Sequence, residues 1–523
     1  MTLKSINPNI NLLGYGPTIE VDGKRITPEQ LVAFSSMITY KDKDAIDMIR
    51  AVLNSEKDID KVTLNSLKKS VARGHASLST SVGLWVLFNG TSKFVDSLFT
   101  GAIFSSSLMP SGRRIPIDLE NIVAPDSIIN ADEKTKRIYE TAATNNISFY
   151  LDLIDKKIPK EEAAKITQYG LTAGGFAFLP LETILADKNE FISQGEWTPK
   201  EAFDIIKKIE DKFGEIGVEN LYNLRQGAAR FTIPHVNIFT NPNNNSHLGD
   251  LLNGRECLGG PHIELKYFEE KDNKHFYDEL EKLSLLKEEI TRSPESVKLR
   301  WPELLRKRNE IISAYKNSLM LSSLSNPSWR VWGEIKRHRT LQQQVESVYN
   351  AVARSSNHLK PYKQKINQGK LTEWDIYRVN DVFVIPKTFL KEENKDLLIK
   401  YTQLFSEALD AYHTLVNRGI PPSDAVSIIP RGIRLIVDKR FDLYNVLEGY
   451  IPLRCCDTAE KEMRKTTEIE IEQIESLLPD YLTKHIGPKC ASVGHCLEAE
   501  SCGKVQKYVN FKYDKKVHEY IHS

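Results

Sequence analysis

One order of segments occurs twice in this chain. In the first half an apolar run, residues 82–88, precedes a turn signal at Asn89-Gly90, a mixed segment 92–104 and the polar motif Ser111-Gly112-Arg113-Arg114. A helical stretch then ends at Lys156-Lys157-Ile158-Pro159, and residues 160–168 open another helix. In the second half, residues 317–324 lead to a turn at Asn326-Pro327 and an amphipathic helix near 330–336. Arg337-His338-Arg339 and then Ser347 follow. A helix over 404–416 is broken at Arg418-Gly419-Ile420-Pro421, as proline requires, and 423–429 opens the next. A repeated order implies two copies of one unit that cannot be read as a single core. Short apolar runs bounded by turn residues suit buried strands, and longer periodic runs suit helices. The expectation is an α/β fold of the α+β kind. It has two units, each a mixed or antiparallel sheet packed with long helices, over 1–240 and 276–523, joined by a connecting segment at 241–275.

The connecting segment carries the Asn-rich loop Asn241-Pro242-Asn243-Asn244-Asn245 and a charged stretch at 268–274. After it, residues 276–316 place Leu280, Leu283, Leu285 and Leu286 at helical spacing, the pattern of an amphipathic packing helix. Length agrees with a doubled architecture, since 523 residues exceed one compact core. Charge gives no global field: 71 Lys+Arg stand against 70 Asp+Glu. That balance argues against nucleic acid or an acidic membrane as partner, so any anion site is local. The apolar run at 82–88 is too short to span a bilayer, and no signal peptide is visible, which points to the cytoplasm.

Arg337-His338-Arg339 concentrates cationic, planar hydrogen-bond donors, a pattern suited to phosphate oxygens. Gly112 lets backbone approach an anion, Ser111 adds a hydroxyl donor, and Arg113 beside Arg114 supplies a fork. Read without further context, both segments are equally a solvated basic triplet and a Ser-Gly turn. Near the C-terminus, Cys490, Cys496 and Cys502 are evenly spaced around glycines and His495, and thiolates so gathered can ligate zinc or an iron–sulfur cluster. The alternative is reduced thiols in a packed loop, as expected for the solitary Cys257. His75 reads as a core histidine or a site residue.

Arg337-His338-Arg339, seven residues and Ser347 resemble the signature of the flavin-dependent thymidylate synthases, which continues as Ser-Gly-Arg-Tyr. Here Ser347-Val348-Tyr349 lacks the Gly-Arg. The first half keeps Ser111-Gly112-Arg113-Arg114 but has Thr100-Gly101-Ala102 in place of Arg-His-Arg. The segment Pro452-Leu453-Arg454-Cys455-Cys456-Asp457-Thr458-Ala459-Glu460-Lys461-Glu462-Met463 is similar to the family's Leu-Arg-x-Asp-x-x-Ala-Gln-x-Glu-Ile, with Arg454 on its functional arginine. The resemblance implies reductive methylation of dUMP to dTMP, with FAD as cofactor and NADPH and methylenetetrahydrofolate as co-substrates. It implies Arg337, His338, Arg339 and Ser347 at the flavin, Ser111, Gly112, Arg113 and Arg114 at the nucleotide, and Arg454 as the catalytic cation. The family is a homotetramer with sites shared between subunits, so a doubled chain is expected to form a homodimer resembling it. Two other readings remain open: a different one-carbon transfer to a pyrimidine nucleotide, and a non-catalytic nucleotide-binding scaffold.

Overall fold

The computed structural model describes residues 3–110, 115–228, 236–245, 248, 260–269 and 274–523. Ser111, Gly112, Arg113, Arg114 and Cys257 lie outside them. Contacts divide the chain into two compact units, each built from segments distant in sequence. The first takes Met1–Asn245, Ser347–Thr372 and Ile385–Ile433; the second takes Ser246–Glu346, Glu373–Val384 and Arg434–Ser523.

In the first unit, β1 (Asn9–Gly16), β2 (Gly83–Ser92), β3 (Ser106–Leu108) and β4 (Thr172–Pro180) form an antiparallel sheet in the order β1-β2-β4-β3. In the second unit, β5 (His262–Phe268), β6 (Leu319–Ser325), β7 (Gln342–Val345) and β8 (Val437–Asp442) form another, in the order β7-β8-β6-β5. Both sheets therefore run first, second, fourth, third strand. Registers agree as well: Leu84 and Val86 oppose Leu179 and Ala177 on the buried face of one sheet. Leu321 and Ser323 oppose Phe441 and Lys439 on that of the other. The fold class expected from the sequence is the one observed.

Two sequence expectations change in detail. Asn89-Gly90 is not a turn that ends a strand; β2 continues through it, with a register shift between Phe88 and Thr91 and Gly90 at φ 63°. This is a bulge, for which glycine supplies the left-handed residue. Residues 276–316 form two helices, Lys274–Ile290 and Pro294–Tyr315. Ser293 caps the second by accepting from the Ser296 N–H, and Pro294 suits its first position. His75 is exposed, at the N-cap of the helix Ala76–Thr80, so it is not a core histidine.

The long helices of the two halves, Glu133–Asp155 and Lys395–Asn417, pack together within the first unit. Each has 23 residues and ends alike. Lys157 (φ 63°) and Gly419 (φ 87°) take the left-handed conformation. The next residues, Ile158 and Ile420, donate back to Leu153 O (3.0 Å) and Leu415 O (3.1 Å). This is the left-handed helix stop that a following proline reinforces. Beyond it segments of the two halves meet through reciprocal backbone bonds. Gly170 N–H donates to Ser427 O (2.8 Å), and Gly432 N–H donates to Lys165 O (2.7 Å), around a bridge between Gln168 and Pro430. Tyr139 and Tyr401, at matching places on the two helices, are fully buried beneath it.

This contact leaves no room for side chains at its glycines. A Cβ on Gly170 would lie 2.2 Å from the Tyr139 hydroxyl and 3.1 Å from Val123 O. Gly170→Ala is expected to destabilise the protein by about 1–3 kcal/mol, read as a lowered urea midpoint.

A second prediction concerns Glu201, which is buried and accepts from Ser92 N–H (2.6 Å). Burial raises its carboxyl to about 7 despite that bond. A folded-state value above the unfolded one near 4.5 means its contribution to stability is complete below about pH 4.5 and is lost as pH rises through about 7. Glu201→Gln is expected to flatten the loss of stability between those values, measured by denaturation at stepped pH.

Candidate functional site

The site grows from the helix Trp329–Ile335 of the second unit. Ser328 caps it, accepting from Val331 N–H (3.2 Å), while Glu462 accepts from Ser328 N–H (2.7 Å) and Oγ–H (2.8 Å). Trp329 and Trp332 are fully buried and fix the helix against the core. Its C-terminal end delivers Glu334 and then Arg337-His338-Arg339, with His338 N–H donating to Ile335 O (3.0 Å). Asn445 pins the chain beyond, its amide donating to Thr340 O (3.3 Å).

Arg454 ends the short helix Tyr450–Arg454, where a cation suits the negative pole. The residues that lead to it form two helices, Leu443–Leu447 and Tyr450–Arg454, parted at Gly449. That break aims Arg454 at the Arg-His-Arg segment. Its Nε–H donates to His338 Nε2 (2.6 Å), one terminal nitrogen to Glu334 Oε2 (3.1 Å) and the other to Glu334 O (3.3 Å). An imidazole accepting at Nε2 carries its proton on Nδ1. Burial, then the Arg454 and Lys439 cations, push His338 down to about 3, so it is neutral at ordinary pH. Arg337 and Arg339 are exposed on either side of it. Although Arg339 as a residue is exposed, its guanidinium is partly enclosed, and that enclosure and then the adjacent Arg337 charge press it below its usual value.

Beneath this layer lies a group that sequence reasoning missed. Lys439 and Glu470 are fully buried and ion-paired. Ser323 Oγ–H donates to Glu470 (2.6 Å), and Lys439 Nζ–H donates to Tyr450 Oη (3.4 Å). The ammonium lies 5.1 Å from the Tyr450 ring centroid, and that ring meets His338 edge-on at 5.1 Å. Burial opposes the charge on Lys439, but Glu470 and Tyr450 outweigh it and raise its pKa. The signal was present: Lys439 alternates with Val437 and Phe441 on the inward face of β8, where a lone lysine demands a partner.

The structure thus joins Arg454 to His338 of the expected site residues. Ser347 belongs to the first unit; it is fully buried and its hydroxyl donates to Thr240 O (2.7 Å). The metal expectation does not hold among the described residues, where no three His, Cys, Asp or Glu side chains are placed to hold an ion. Cys490 and Cys496 are buried and Cys502 is exposed. Burial, then the neighbouring Cys496, Cys456 and Cys502, push the Cys490 thiol up to about 12. No described helix is long and apolar enough to cross a membrane.

Residues 320–480, which contain the Arg454, His338 and Lys439 arrangement with the residues that hold it, match the family model described as "Thymidylate synthase complementing protein". Flavin-dependent thymidylate synthase of Pyrococcus abyssi is 30% identical over 125 residues, 23% of this chain and 50% of its own. That of Saccharolobus solfataricus is 31% identical over 110 residues, 20% of this chain and 39% of its own. The chain therefore spans half or less of the length of these curated relatives. Among solved structures, a UMP/dUMP methylase PolB from Streptomyces cacaoi bound with 5-Br dUMP aligns at 13% identity and TM-score 0.33, over 45% of this chain and all of that one. ThyX from Helicobacter pylori complexed with FAD and dUMP aligns at 15% identity and TM-score 0.26, over 43% of this chain and 98% of that one.

Proposed function

From the ThyX-like character of residues 320–480, we propose that this protein is a flavin-dependent enzyme that methylates dUMP reductively to dTMP, with methylenetetrahydrofolate and NADPH as co-substrates. The observation that carries the reading is Arg454. The arginine on the family's functional position is fixed by His338 and Glu334 within the segment that matches the family. A guanidinium held before the substrate arrives stabilises negative charge developing on a pyrimidine ring without reorganising.

The donor set fits FAD. Arg337 and Arg339 flank His338 with two exposed planar forks, suited to a pyrophosphate. The flavin, when bound, supplies the hydride. Arg337 and Arg339 would anchor the cofactor, and Arg454 would polarise the base. Ser111, Gly112, Arg113 and Arg114 are proposed for the nucleotide phosphate. In this reading the chain holds two copies of one unit, the second beginning with β5 (His262–Phe268), inside the expected connecting segment 241–275, rather than at 276, and the matching strand orders and helix stops support it. The assembly would be a homodimer.

Purified protein should be yellow and convert dUMP to dTMP when supplied with the folate and NADPH. Arg339→Ala should lower flavin occupancy, and Arg113→Ala should weaken dUMP binding about tenfold or more. A colourless protein that binds neither FAD nor dUMP would overturn the proposal.

A further inference from the structure

We propose that His338 is a positioning residue for Arg454 rather than a cofactor ligand, and that the buried Lys439–Glu470 pair holds His338 in the form that does this. The inference rests on the reading of Arg454 given above and adds a mechanism for how that guanidinium is aimed.

The first support is chemical. Arg454 has no acceptor, so the contact to His338 Nε2 exists only while the imidazole is neutral. Protonated, it would set two cations 2.6 Å apart. Two restraints from Glu334 and one from His338 together fix the plane of the guanidinium and its rotation about the side chain.

The second support is internal to the chain. Counted back from the helices that follow β4 and β8, which begin at Leu181 and Leu443, Lys439 stands where the first sheet has Ala177, and the residues paired across from them are Ser323 and Val86. The same fold thus carries this buried cross-strand place with two apolar side chains. A buried ion pair is often no more stabilising than apolar residues of its size, so stability does not account for its presence. The pair occurs in the unit that has Arg-His-Arg, and Lys439 contacts Tyr450, whose ring packs on His338. The charged groups around His338 are the cations Arg454 and Lys439, with Glu334 paired to Arg454 and Glu470 to Lys439. Neutralising Lys439 together with Glu470 removes the nearer charge of that pair and eases protonation of the imidazole.

Three variants test this in the full-length protein. His338→Ala should keep its flavin but lose about 10²-fold in turnover, with little change in KM for dUMP, because the guanidinium is misaimed. His338→Gln, whose amide oxygen can accept from Arg454, should recover about tenfold of that loss. Lys439→Met/Glu470→Met should keep flavin and fold and lose about tenfold in turnover, and its His338 should titrate above the wild-type value. Flavin loss in His338→Ala without rescue by glutamine, or turnover equal to wild type, overturns the proposal. If wild-type protein proves inactive, the reading of function fails separately. The positioning claim is then decided by nitrogen-15 NMR of His338. A neutral Nδ1–H tautomer that becomes easier to protonate in Arg454→Met supports it; titration near the ordinary value of about 6.5 in wild type overturns it.

Discussion

Replacing Arg454 with alanine is expected to lower dUMP turnover by about 10²–10³-fold while flavin occupancy stays at the wild-type level. The size follows from what the side chain does. It is mostly enclosed at the end of a short helix and held through three of its nitrogens by His338 and Glu334. Such a preset donor is worth more than one recruited from solvent, because no reorganisation accompanies charge development. Arg454→Lys should be nearly as poor. An ammonium keeps the charge but loses the planar fork, and it cannot make the same three contacts at once. Steady-state kinetics beside the flavin absorbance spectrum separate this outcome from loss of cofactor. Turnover within threefold of wild type in both variants would remove Arg454 from the chemistry.

The second large effect is on stability. Lys439→Met should destabilise the protein by about 3–5 kcal/mol, because Glu470 would keep a buried carboxylate with its cation gone. Ser323 alone cannot replace that charge. The double variant Lys439→Met/Glu470→Met should recover most of the loss, within about 1 kcal/mol of wild type, since the pair's attraction and its desolvation roughly cancel. Urea denaturation of the two single variants and the double gives the coupling directly. Additive losses would show that the two side chains are not energetically paired.

What could be read from the chain beforehand was the local part. The apolar runs at 82–88 and 317–324 became β2 and β6, because strand burial leaves its signature in neighbouring residues. The stops before Pro159 and Pro421 were legible because a left-handed residue followed by Ile-Pro is a local device. The long helical run at 276–316 hid its break, since Ser293-Pro294 resets the helix without interrupting the apolar spacing. The Lys439–Glu470 pair was not legible. Its members sit on a strand and on the helix Lys461–Leu477, and only packing brings them together. The evenly spaced cysteines suggested ligands from spacing alone, but ligation depends on at least three donors converging in space, which spacing along the chain does not fix.

Under the proposed duplication, the contact around Gln168 and Pro430 has an evolutionary consequence. Where identical subunits meet on an axis, every substitution is made on both sides at once, and the interface stays symmetrical. Here the two sides are encoded separately, and an amide already stands opposite a ring that lacks an N–H. Either flank can therefore change without its counterpart. Dilution cannot part them either, since one polypeptide carries both.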